Sequence, residues 1–126
     1  MKFYIAASYP RKLEAWTIAR MLSQRGHKIS SVWHLDVQNL VDNPDQWGSD
    51  CIRDLYGVQD CTHLVQLTGD TMSRGGRHTE LGIALALGKK ISLIGPNEQV
   101  FHRHASITHH ATVQEFFDSL PVAKLF

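Results

Sequence analysis

The segment LTGDTMSRGGRHTELGIALALGKKI, residues 67–91, gathers the side chains best suited to chemistry. An apolar stretch runs into a glycine-bearing loop, and the loop runs into a helix. Gly75 and Gly76 allow positive φ and close backbone approach to a ligand. Loop N–H groups and the helix N-terminus can then hold an anion. Arg74 and Arg77 add two guanidinium forks suited to a phosphate. Glu80 is placed in the first helical turn, where the helix dipole favours an ionised carboxylate, the form a nucleophile requires. A plainer reading has Glu80 cap the helix and both arginines solvated. The residues alone leave both open.

These groups need a scaffold, and the flanking pattern describes one. KFYIAAS is short, apolar and aromatic, and reads as a first strand. Pro10 suits the start of a helix that runs through Leu13, Trp16, Ile18, Ala19 and Leu22 to Gly26. HKISSVW is a second strand, and residues 34–48 form an irregular excursion. Ser49 caps a helix carrying Ile52, Leu55 and Val58. THLVQLT is a third strand, TELGIALALG a helix ended by Gly88, and KKISLIG a fourth strand. A loop from Asn97 to His110 holds a short fifth strand near Ser106–Thr108. TVQEFFDSL closes the chain as a helix capped by Thr112. Alternating strands and helices predict a single α/β domain over residues 1–126, with a doubly wound, flavodoxin- or Rossmann-like parallel sheet of four to five strands. In such sheets ligands bind beyond the carboxyl ends of the strands, where these loops lie.

Composition narrows the class. Thirteen basic and twelve acidic residues give a net charge of +1, which argues against a nucleic-acid polymer as partner. The apolar runs are strand-length, so no membrane span is expected, and the N-terminal MKFYIAASYPRK has no cleavable signal pattern. A cytoplasmic protein is expected, with Cys51 and Cys61 as free thiols. His102, His104, His109 and His110 crowd one loop without nearby carboxylates, so neither a metal nor a cofactor is expected. His78, two residues before Glu80, reads equally well as a ligand contact or as part of the helix start. Trp33 and Trp47 flank the excursion and suit either packing or stacking on a base.

GGRHTELGIALALGK resembles the signature of the nucleoside 2-deoxyribosyltransferase-like superfamily, which includes nucleoside 5′-monophosphate N-glycosidases. The resemblance spans most of the chain. The opening Phe3-Tyr4-Ile5-Ala6-Ala7 is similar to the family's first strand with its site tyrosine. RDLYGVQDCTHLVQL is similar to its helix-to-strand stretch with an aspartate, here Asp54. Glu80-Leu81-Gly82 matches the helix glutamate. The resemblance implies Glu80 as nucleophile at C1′ of the sugar, through an oxocarbenium-like state and a covalent glycosyl intermediate. Tyr4 would orient Glu80, and Asp54 would assist proton transfer to the departing base. It also implies a homo-oligomer, most simply a dimer.

The sequence departs from the deoxyribosyltransferases proper in two places. Their acidic loop residue is basic here, at or near Arg74. Their C-terminal asparagine has no match in VAKLF. A basic loop suits a substrate with a 5′-phosphate, and Ser8 and Ser73 resemble the small hydroxyl residues that monophosphate hydrolases place around it. Arg11 is a further candidate there. The expected activity is therefore cleavage of a nucleoside 5′-monophosphate to base and sugar phosphate. Deoxyribosyl transfer between free nucleosides is the second reading. A non-catalytic nucleotide-binding or sensing module is the third, and cleavage of a larger ribosyl nucleotide such as NAD is less favoured for so short a chain.

Overall fold

A computed structural model of the chain describes residues 1–35, 43–70 and 75–121. Five strands form one parallel sheet: β1 (Lys2–Ala6), β2 (Lys28–Ile29), β3 (His63–Leu67), β4 (Lys90–Ile94) and β5 (Ile107–His110), in the order β2-β1-β3-β4-β5. Four helices connect them: α1 (Lys12–Gln24), α2 (Trp47–Asp60), α3 (Gly76–Ala86) and α4 (Val113–Ser119). The expected doubly wound α/β fold is present.

Alternation along the strands sends side chains to two cores. Phe3, Ile5, Val65 and Leu67 pack with Ala15, Ile18 and Leu22 of α1 and Phe116 and Phe117 of α4. Tyr4, Ala6, Leu64, Ile91 and Leu93 pack with Val58 of α2 and Leu81 and Ala84 of α3 on the other face. Burying each large apolar side chain contributes roughly 1.5–3 kcal/mol, which makes these two layers the main stabilising term. The direction of strand addition reverses between β1 and β3, so the crevice at their carboxyl ends is where such a fold opens to a ligand.

Three elements differ from the sequence expectation, each for a local reason. β2 stops at Ile29 because side chains take over its pairing with β1: Ser31 Oγ accepts from Ile5 N–H at 3.0 Å, and Trp33 Nε1 donates to Ile5 O at 2.7 Å. α2 begins at Trp47, behind a 3-10 turn capped by the Asn43 side chain, so Ser49 lies inside the helix and donates to Gln46 O. α3 begins at Gly76 rather than Thr79, because Gly75 adopts φ 90° as its N-cap and its carbonyl accepts from both His78 and Thr79 N–H. Thr112 does cap α4, accepting from Glu115 N–H at 3.1 Å.

Candidate active site

The earlier start of α3 moves Glu80 out of the first turn, away from the unpaired N–H groups that were expected to favour its ionised form. Its surroundings are set by the sheet instead. The Glu80 carboxylate accepts a hydrogen bond from the Tyr4 phenol of β1. Tyr4 is completely buried, in register with Leu64 of β3. Gly57 of α2 makes this possible: a Cβ there would meet the Tyr4 ring and Ser30 O at 2.8 Å each. The missing side chain lets α2 settle directly on the tyrosine.

Asp54 stands one turn earlier on α2 and faces the same cleft. That cleft, about 230 Å³, opens between α2 and α3 and is lined by Cys51, Asp54, Leu55, Val58, Gly76, Thr79, Glu80 and Ile83. A second groove of about 290 Å³, between α1 and β2, has no carboxylate among its lining residues. The three residues expected to be catalytic therefore meet in one place, although they come from β1, α2 and α3.

Their electrostatics are coupled. Burial pushes Glu80 up to about 8; the Tyr4 hydrogen bond pulls it back, Asp54 raises it and Arg53 lowers it. Burial also raises Asp54, opposed by the adjacent Arg53 guanidinium. Burial beside Glu80 and Asp54 drives the Tyr4 phenol far above its ordinary range, so it stays a donor. Glu80 thus lies outside the first turn, beyond the strongest reach of the helix dipole, and burial favours its protonated form. Arg53, which bonds Asp54 at 3.1 Å, adds a positive charge beside the cleft that the sequence did not single out. Its only signal is its place next to Asp54 in RDLYG.

The remaining predicted residues that are described lie just past β1 and at the start of α3. Ser73 and Arg74 lie outside the described residues. Gly75 and Gly76 form the start of α3. Ser8 is buried at the end of β1. Arg77 matches neither the solvated picture nor that of an open fork. Its side chain is 2% exposed, bonds Glu98 at 2.5 Å and lies 3.9 Å from Asp70. Arg77 Nε and Asp70 Oδ2 remain buried without a hydrogen-bond partner among the described residues. Burial tends to raise Asp70, but the Ser8 hydroxyl, Arg77 and Arg11 outweigh it and hold the carboxyl below its usual range. His78 Nδ1 lies 2.8 Å from Gln99 Nε2, with its other ring nitrogen 3.7 Å from Glu98.

Elsewhere, His104 bonds Ser106 and His109 bonds the His102 carbonyl. Among the described residues no three His, Cys, Asp or Glu side chains are grouped to hold a metal. Both cysteines are free, and no described helix is long and apolar enough to cross a membrane.

The fold is shared with two solved enzymes. A CMP N-glycosidase, BcmB, from Clostridium botulinum superposes with a TM-score of 0.59 at 20% identity, covering 94% of this chain and 96% of that one. A 2-deoxyribosyltransferase from Bacillus psychrosaccharolyticus superposes with a TM-score of 0.68 at 18% identity, covering both chains completely. The chain thus has the same fold as these two enzymes. No protein-family model matches it. No curated protein matches it either.

Proposed function

We propose that this protein cleaves the N-glycosidic bond of a nucleoside 5′-monophosphate, releasing base and sugar phosphate. The observation that carries the reading is the meeting of Tyr4, Asp54 and Glu80 at one cleft. Two carboxylates with a phenol between them suit a retaining displacement at an anomeric carbon. Glu80 starts protonated, with Asp54 also raised. Passing the Glu80 proton to Asp54 creates nucleophile and general acid together. The Glu80 carboxylate then attacks C1′, the C1′–N bond breaks, and Asp54 gives its proton to the departing nitrogen. In the second half, Asp54 takes a proton from water, which displaces Glu80 from C1′. Tyr4 keeps the carboxylate aimed, and Arg53 favours its anionic form.

The 5′-phosphate is assigned to the loop after β3. Backbone N–H groups at Gly75 and Gly76, the Ser8 and Ser73 hydroxyls, Arg74, Arg77 and His78 are its proposed contacts. Arg77, buried against Glu98 and Asp70, would act from behind the loop rather than as an open fork. Deoxyribosyl transfer is the second reading, favoured by the full-length match to a transferase. In it a second base, rather than water, would resolve the intermediate. Incubation with a panel of nucleosides and their monophosphates, with free base read by chromatography, separates the two. Tight binding of a monophosphate with no base released would leave the non-catalytic module instead.

A further inference from the structure

The sheet face beneath α3 is apolar at Leu64, Ile91 and Leu93, yet Gln66 stands in the same face, completely buried. Its amide is fully engaged. The His102 ring, also completely buried, accepts the Glu98 backbone N–H at Nδ1, 2.9 Å away. A backbone N–H can only donate, so Nδ1 is unprotonated and the proton of the neutral ring sits on Nε2. That Nε2–H donates to Gln66 Oε1 at 2.6 Å. The orientation of the amide follows: Gln66 Nε2 donates to the Arg77 carbonyl at 2.8 Å and toward His78 Nδ1 at 3.3 Å. Gln99 Nε2 meets the same His78 nitrogen at 2.8 Å. Every link runs in one direction, from the Glu98 N–H through His102 and Gln66 into the first turn of α3.

This chain of bonds is anchored on the elements that carry both partners of the site. Gln66 pairs with Ala6 across the β1–β3 ladder, two residues past Tyr4. The carbonyl it holds belongs to Arg77, three residues before Glu80. A methionine of similar volume would fill the position without the desolvation cost of an amide, so packing alone does not call for a glutamine. A fully satisfied polar network selects one geometry where apolar packing tolerates several.

We propose that Gln66 and His102 are positioning residues that fix the first turn of α3 on the sheet, and with it the reach of Glu80 to Tyr4. Only the activity readout of this proposal rests on the N-glycosidic reading. Burial, with His78, Arg77 and His109 close by, outweighs Glu98 and keeps His102 below its ordinary pKa, consistent with the neutral ring the chain requires. Burial and Arg77 do the same for His78 against Glu98 and Asp70.

The test combines spectroscopy, exchange and kinetics. Long-range proton–nitrogen spectra of the wild-type protein at neutral pH should show His102 neutral with its proton on Nε2. Gln66→Met and His102→Leu should fold, yet speed amide exchange of residues 77–81 by about ten-fold or more, an opening made easier by about 1.4 kcal/mol. Base release should fall by about ten-fold in kcat with KM little changed. His102→Gln, which keeps a donor toward Gln66, should recover most of both. His102 protonated on Nδ1, or Gln66→Met with wild-type exchange in α3, would overturn the proposal. If the wild type releases no base from any nucleotide, the N-glycosidic reading fails while the tautomer and exchange data still decide this one. Should Gln66→Met not fold, the contrast between His102→Leu and His102→Gln carries the test.

Discussion

Tyr4 on β1 and Glu80 on α3, 76 residues apart in the chain, are joined by a hydrogen bond from phenol to carboxylate at the end of the β1–β3 crevice. The bond makes the strand a support for the helix carboxylate, which is half-buried at the cleft between α2 and α3. The first two expectations below follow from that pairing.

Glu80 should be indispensable for turnover and a burden on stability at high pH. Glu80→Gln and Glu80→Ala are expected to lower base release by about a thousand-fold or more. The folded carboxyl titrates near 8, against 4.5 for an ordinary glutamate. The folded state therefore binds more protons between those values, and stability declines as pH rises through them. Thermal unfolding should show little gain for Glu80→Gln near pH 5 and a gain of several degrees by about pH 9. In the wild type, base release should fall as pH rises through about 8, where the Glu80–Asp54 pair loses the proton that the general acid must carry. A stability gain independent of pH would mean that Glu80 is not held protonated.

Removing the phenol should shift that fall. Tyr4 lowers the Glu80 pKa through its hydrogen bond. Tyr4→Phe should move the alkaline limb of the rate profile to higher pH and reduce kcat by roughly ten- to a hundred-fold. Gly57→Ala attacks the same contact from behind, since its methyl would press on the Tyr4 ring and Ser30 O at 2.8 Å. It should cost about 1–3 kcal/mol in denaturant unfolding and reduce activity as well. Wild-type stability in Gly57→Ala would show that α2 can retreat from the tyrosine.

The two arginines of the loop should separate in their effects. Arg77→Ala removes the guanidinium that Glu98 bonds, while Glu98 keeps the Gly69 N–H and Asp70 keeps Arg11, and should cost about 1.5–3 kcal/mol. Arg74→Ala should spare the fold and remove a preference for monophosphates over free nucleosides of at least about ten-fold in kcat/KM. Equal reaction of nucleosides and monophosphates in the wild type would sink the phosphate contact and favour transfer.

A symmetric dimer is expected in solution. Trp47 and Tyr56 of α2 and Leu87 after α3 are 48%, 70% and 51% exposed, and together with Ile52 they give α2 and its surroundings an apolar exterior. Light scattering at micromolar concentration should report twice the 14.2 kDa mass of the chain; a monomer there would refute the assembly.

Local chemistry made much of this legible before any fold was known. The alternation of strands and helices carries the parallel sheet, Thr112 announces its helix, and the double glycine before Glu80 marks the loop that opens the site. These are signals within a few residues of one another, set by backbone preference and capping. The protonation of Glu80 is not of that kind. It depends on burial under α2, on a phenol from β1 and on Asp54, none of them adjacent in the chain, and it reverses what helix position alone suggests. Arg77 likewise looks like a free fork in sequence and becomes a buried partner of Glu98 once β4 delivers that loop beside α3. Gln66 reads as a stray polar residue in a strand, and only the arrival of His102 and Arg77 around it turns it into a junction. Short-range sterics and periodicity decided the elements; the long-range contacts that bring Tyr4, Asp54 and Glu80 together decided the charges.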